Sequence, residues 1–393
     1  MEYTKVLEKL QEIESSNFYR LTDLKNCDAR YDILANTLTV NDNSYSLSEL
    51  AFNQFLERNK LRCPAFTDDV YSSEIFNEIK EKAINYALNK IVDKCLIYKN
   101  EDTINAVLSE KYRIMPSSEL FKKVYKQLEM SYKFVRIKTV EANECYTYIT
   151  FEVWDKKIEN IQNVLDITMF NPSLEYVFIT SSVGLSGAKL IPVFKYFTDA
   201  SETKNMMIPL ASPVISEHKG NENAEKFANK MTNQNKFITE TPELIKALKN
   251  KNVRYPVHCL INVADRLGIT AHELMEILPM ASAEFRASEN VNAFEIYLYL
   301  NSVIKEDKEY KTLTDKFDLI EKTSKALSIL SKSLKEVDIP KIRWVRLKVY
   351  ADDGQDFIPD DDDNDINIPE NKEETDEFNP ENYRQVSFFN LIS

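Results

Sequence analysis

The sequence predicts an α+β fold: a mixed antiparallel sheet with helices, followed by a helical region and a disordered acidic C-terminal tail. Three observations carry this prediction. Short runs rich in β-formers alternate with helical spacings through the first half of the chain. Helical spacing takes over after about residue 215. Nearly all of the net charge gathers beyond residue 350. The expected organisation is an α+β domain over 1–215, a mostly helical region over 216–350 that ends in a basic strand, and an acidic tail with an apolar tip over 351–393.

The elements follow in order. Val6, Leu7, Leu10 and Ile13 recur at helical spacing within 1–16. Residues 31–40 read as a strand that ends in a turn at Asn41-Asp42-Asn43, and Ser46 or Ser48 caps the next helix. Another helix is predicted over 73–92, with Ile75, Phe76, Ile79, Ala83, Ile84 and Ala87 on one side. Residues 94–99 and 103–109 form a hairpin around Asn100-Glu101-Asp102, and Pro116 introduces a helix. Two pairs of strands follow, 132–140 with 145–154 and 175–183 with 188–197. Helices are then expected over 221–232, 241–250, 257–267, 271–278, 291–304 and 313–336.

The chain of 393 residues carries a net charge of −13. Residues 351–393 hold 14 acidic and 2 basic groups, a net of −12, so the first 350 residues are almost balanced. The run Asp360-Asp361-Asp362-Asp363-Asn364-Asp365 repels itself and buries nothing, which predicts disorder. The chain then ends on Phe388, Phe389, Leu391 and Ile392, an apolar tip on an acidic tether. Such a tip either docks on a partner or packs back on its own body.

Composition excludes several classes of function. Only five glycines are present, so neither GxGxxG nor GxxxxGK[ST] can be written. The five cysteines, Cys27, Cys63, Cys95, Cys145 and Cys259, lie too far apart for a CxxC pair, and free thiols in a reducing compartment are expected. His272-Glu273 lacks the second histidine of HExxH, because position 276 is Glu. No cofactor and no metal site is predicted. No run of 18 apolar residues and no secretory h-region occurs, and the expected location is the cytoplasm.

Two segments are locally basic and interleaved with aromatics. The first contains Lys122, Lys123, Lys126, Tyr132, Phe134, Arg136 and Lys138. The second contains Arg343, Trp344, Arg346 and Lys348, directly before the tail. Cations for phosphates and ring faces for bases are what single-stranded nucleic acid requires. The same pattern also fits core aromatics rimmed by solvated lysines. A polyanionic tail beside a basic strand can occupy it in competition with DNA, in a salt-sensitive manner. In style the tail is similar to those of bacterial and phage single-stranded DNA-binding proteins, which recruit partners through an apolar tip.

Leu108-Ser109, Tyr112-Arg113 and Ser182-Val183-Gly184-Leu185 stand in an order and spacing that resembles the phage- and plasmid-borne family called Domain of Unknown Function 932, over roughly residues 30–230. Thr198-Asp199-Ala200-Ser201 departs from that family's cysteine-threonine-asparagine-glycine run. The resemblance implies a phage or mobile-element protein and no particular activity.

The reading that follows is an accessory protein of DNA metabolism, in the cytoplasm of an infected host cell, that binds or anneals single-stranded DNA. Its tail tunes binding and recruits a replication or recombination protein. Two alternatives stay open. One is a non-enzymatic virion-packaged or host-interacting protein with a DNA-mimic tail. The other is an enzyme whose pocket brings His218 close to Ser181, Ser182 or Arg113.

Overall fold

The computed structural model describes residues 1–58, 73–90, 94–155, 158–165, 169–197, 205–234, 237–275, 277–288, 290–304 and 313–340. The acidic tail and the basic segment 341–350 lie outside the described residues. The fold is α+β, with two six-stranded sheets of mixed and antiparallel strands and a helical C-terminal region. The described residues fall into two compact units, one formed by those of 1–243 together with 313–324 and the other by those of 244–304 together with 325–340.

The first unit opens with α1 (Tyr3–Ser16) and continues through β1 (Phe18–Thr22), β2 (Ala29–Asp32), β3 (Thr37–Val40), β4 (Asn43–Leu47), α2 (Glu49–Arg58), α3 (Ser73–Lys90), β5 (Cys95–Lys99) and β6 (Thr103–Ser109). These strands form one sheet in the order β1-β5-β6-β4-β3-β2, in which only the β4–β6 pair is parallel. The single strand expected over 31–40 is instead two strands. Asp32 Oδ1 accepts from the N–H groups of Leu34 and Ala35 at 2.9 and 3.0 Å, which folds the chain back. Asn36 completes the turn with φ of 48°, a conformation asparagine tolerates better than most side chains.

Ser48, not Ser46, caps α2, because its hydroxyl accepts from Ala51 N–H at 3.0 Å while Ser46 belongs to β4. The helix expected over 73–92 forms, but its buried residues are Ile84, Ala87 and Leu88, whereas Ile75 and Ile79 are exposed. Its register is set by a polar duty. Asn85 exchanges bonds of 2.7 and 2.8 Å with the backbone of Tyr31, and Glu81 accepts from Ile33 N–H at 3.1 Å. The helix thereby covers β2, which is an edge strand whose backbone groups need partners. Leu24, Leu38, Ile84, Leu88, Ile97 and Ile104 pack into one core cluster on this sheet. Full burial of each such side chain stabilises the fold by about 1.5–3 kcal/mol.

Next come α4 (Ser117–Ser131), β7 (Phe134–Ala142), β8 (Tyr146–Trp154), α5 (Ile158–Leu165), β9 (Phe170–Ser181), β10 (Ala188–Phe197), β11 (Asn205–Pro209), β12 (Val214–Ser216) and α6 (Ala224–Gln234). The second sheet runs β11-β10-β9-β8-β7, all antiparallel, and β12 pairs with the start of β10. Phe151 and Phe178 lie on a face covered by helices: Phe121 of α4 packs on Phe151 at 6.2 Å, and Phe227 of α6 on Phe178 at 6.2 Å. That packing is why the first unit runs past the boundary expected at residue 215. Residues 313–324 join it through Glu321, which holds Lys189 of β10 at 2.6 Å.

The two units share α7 (Phe237–Lys249) and α12 (Leu313–Lys332). The second also contains β13 (Asn252–Val253), α8 (Pro256–Leu267), α9 (Ala271–Met275), α10 (Leu278–Ala287), β14 (Val291–Asn292), α11 (Ala293–Asn301) and α13 (Leu334–Val337). Pro256 opens α8, and Gly268, with φ of 65°, ends it. Asn292 and Glu295 form a reciprocal capping box on α11. Asp338 ties the far end back by accepting from Arg254 and Tyr255 N–H at 2.8 and 2.7 Å. No helix among the described residues is long and apolar enough to cross a membrane.

Candidate nucleic-acid face and the Tyr112–His218 cleft

Helix α4 buries Leu120, Phe121, Val124 and Leu128, and this spacing turns Lys122 and Lys126 to solvent. Both are without an ion pair among the described residues. Lys123 is paired with Glu225 of α6, and that contact lowers the pKa of Glu225.

On β7 the alternation places Phe134 and Arg136 on the face opposite Ile137, which is buried. Ile137 is the cross-strand partner of Phe151, against which α4 packs. The helix lysines and the β7 residues therefore occupy opposite sides of the sheet, and the first basic segment is not one surface. Tyr132 departs furthest from the expected stacking role. It is 5% exposed, and its hydroxyl shares a hydrogen bond of 2.6 Å with that of Tyr176. Burial pushes its pKa up to about 12.

Arg136 is paired with Glu152, its Nε donating at 3.1 Å, and Lys138 with the buried Glu175. Phe134, in contrast, is 49% exposed, and its cross-strand partner Trp154 is 50% exposed. Trp154 was not among the residues expected at this site. The hairpin turn at 143–145 was the signal, since pairing outward from it brings 134 opposite 154. The exposed Lys133 lies in the bend directly before edge strand β7. Arg343, Trp344, Arg346 and Lys348, and the tip residues Phe388, Phe389, Leu391 and Ile392, lie outside the described residues.

A second site gathers the segments around Leu108–Arg113, Ser181–Leu185 and His218. A cleft of about 710 Å³ is lined by Leu108, Tyr112, Gly184, Ser186, Lys189 and His218, among others. Tyr112 donates to Ser181 O at 2.9 Å, Tyr19 to Ser182 O at 2.8 Å, and Gln54 Nε2 to Val183 O at 2.7 Å. These three side chains fasten the β9–β10 connection. Gly184 is required there by its φ of 79°, and an added Cβ would also press on the movable Leu108 Cδ2 at 2.9 Å.

His218 stacks on Tyr112, with centroids 4.8 Å apart and planes 6° from parallel. Its Nδ1 lies 2.9 Å from Arg113 O. A carbonyl only accepts, so Nδ1 carries the proton and Nε2 keeps its lone pair. Nε2 faces the Thr180 hydroxyl at 3.5 Å, and Thr180 is itself 1% exposed. Burial lowers the pKa of His218, opposed in part by the bond to Arg113 O. Ser181 commits its hydroxyl hydrogen to Cys145 O at 2.9 Å and accepts from Val183 and Leu185 N–H at 3.2 and 3.1 Å. His218 thus reaches the Arg113 backbone, and Ser181 is engaged as a turn-former.

Comparison of the chain with protein-family models, with curated proteins and with solved structures finds no match.

Proposed function

We propose that this chain is a phage or mobile-element accessory protein of DNA metabolism that binds or anneals single-stranded DNA. The observation that carries the reading is the Phe134–Trp154 pair, two half-exposed aromatics side by side at the basic edge of a sheet. Ring faces in that position suit the stacking of unpaired bases. Lys133 directly precedes Phe134 in the chain, and Lys122 and Lys126 are exposed on the other side of the sheet. Arg136 and Lys138 are already neutralised by Glu152 and Glu175, so stacking contributes more than phosphate contacts at this corner. In this reading the acidic tail competes with DNA and its apolar tip recruits a replication or recombination protein.

The test is fluorescence anisotropy with labelled single-stranded DNA, comparing the full chain with one ending at Tyr350 across a salt series. The proposal expects the shorter chain to bind more tightly and affinity to fall steeply with salt.

The ion pairs that occupy Lys123, Arg136 and Lys138 favour a second reading, a non-enzymatic interaction protein whose aromatic edge meets another protein. Absence of DNA binding by both chains at low salt selects that reading.

A further inference from the structure

Lys99 closes β5 and is only 6% exposed. Its Nζ lies 3.7 Å from the centroid of the Tyr45 ring and 4.8 Å from that of Phe18. Among the described residues it has no ion pair and no hydrogen bond from Nζ. The ring faces attract the cation but accept none of its three N–H donors in the way an oxygen does. Nζ keeps its solvent contact through the space beside it, so its donors are open to whatever occupies that space.

The space beside it supplies the place. A pocket of about 120 Å³ is lined by Arg20, Thr22, Asp23, Asn41, Tyr45 and Lys99, among others. That is room for several water molecules. Register accounts for the grouping: Phe18 lies opposite Lys99 and Arg20 opposite Ile97, so Phe18, Arg20 and Lys99 share one face of the sheet. Arg20 is exposed and likewise without an ion pair among the described residues. The lining carboxylate, Asp23, accepts from Asn26 at 2.9 Å. Two cations and one carboxylate line the space.

We propose that this pocket binds a small oxyanion, a phosphate or a carboxylate, held by Lys99 Nζ within and Arg20 at the mouth. Charge-assisted hydrogen bonds to such a group satisfy the donors that the protein leaves open. The site is independent of the Phe134–Trp154 edge, and neither reading requires the other.

The experiment is thermal unfolding of the full chain in inorganic phosphate, in acetate, and in chloride at matched ionic strength. A saturable rise in Tm, about 3–5 °C at a hundredfold excess over Kd, is expected in phosphate or acetate and not in chloride. Whichever of the two acts identifies the head group. Lys99→Met should abolish the rise whatever its own baseline Tm, and the exposed Arg20→Met should shift the half-saturating concentration about tenfold. If Lys99→Met does not fold, Arg20→Met decides alone. Equal curves in all three salts, or a rise that both variants retain unchanged, would overturn the proposal.

Discussion

Arg113 and His218 exchange two hydrogen bonds across 105 residues of sequence: the Arg113 N–H donates to His218 O at 2.8 Å, and His218 Nδ1 donates to Arg113 O at 2.9 Å. This clasp joins the turn after β6 to the segment after β12 and sets the imidazole flat against Tyr112. The side chain of Arg113 takes no part; its backbone is what matters.

The clasp predicts a pH dependence. Burial lowers the pKa of His218 in the folded protein below its unfolded value near 6.5. Between those two values the unfolded chain binds more protons, so stability rises with pH through that window. The contribution is complete above about pH 6.5 and is lost as pH falls toward the folded pKa. Tm measured from pH 7 down to pH 5 should therefore fall more steeply for the natural chain than for His218→Asn. At pH 7, His218→Ala should cost about 2–3 kcal/mol, from the unsatisfied Arg113 carbonyl and the lost ring stack. An equal pH slope in the natural chain and in His218→Asn would remove His218 as the source.

Glycines 184 and 187 predict different failures. Gly184→Ala is strained by its φ of 79°, while its contact, Leu108 Cδ2, is the movable end of a side chain. A loss of about 1–2 kcal/mol is expected. At Gly187 an added Cβ would lie 2.7 Å from the carbonyl oxygen of Ser216, which is backbone of β12. Gly187→Ala should push β12 off β10 and carry His218 with it. Hydrogen exchange should then rise at residues 188–190 and 214–216 in Gly187→Ala and not in Gly184→Ala.

These positions show what the sequence could and could not convey. The hairpin around Asn100-Glu101-Asp102, the strand pairs and the helix after Pro116 were legible because period and turn chemistry are local. The buried face of α3 was not, since Asn85 and Glu81 answer to the backbone of β2, some fifty residues away. Strand β1 was missed because its burial pattern is mostly exposed and it depends on β5 for pairing. At the candidate site, Phe134 was legible as an aromatic among cations, but the carboxylates that neutralise Arg136 and Lys138 come from β8 and β9. No spacing within one segment reveals a cross-strand partner. Tyr132 failed for the same reason: its partner, Tyr176, is on β9.

Lys138 and Glu175 predict an asymmetric cycle. Glu175 is 2% exposed, while the Lys138 side chain is 35% exposed. Lys138→Met would leave the buried carboxylate with the Ser173 hydroxyl, at 3.2 Å, as its remaining partner among the described residues. That change should cost about 2 kcal/mol, less than for a fully buried pair. Glu175→Gln leaves a lysine that can reach water and should cost less. The double variant should be more stable than Lys138→Met alone in urea unfolding. A double variant that is no more stable than Lys138→Met would show that the pair is not what holds this part of the sheet.

The aromatic edge gives the sharpest test of function. Phe134 and Trp154 are each about half exposed, so replacing either with alanine should leave the core, and thus the unfolding midpoint, nearly unchanged. If bases stack there, each replacement should weaken binding to single-stranded DNA by about 1–3 kcal/mol, roughly five- to more than a hundredfold. The salt slope should stay as it is, because no cation is removed. Lys122→Ala and Lys126→Ala should act the other way, with a small loss of affinity and a shallower slope. Neighbouring groups that grip one base should also be non-additive, so Phe134→Ala with Trp154→Ala should lose less than the two single losses combined. Affinity unchanged in both aromatic variants, with a fold intact by circular dichroism, would move the edge from nucleic acid to a protein partner.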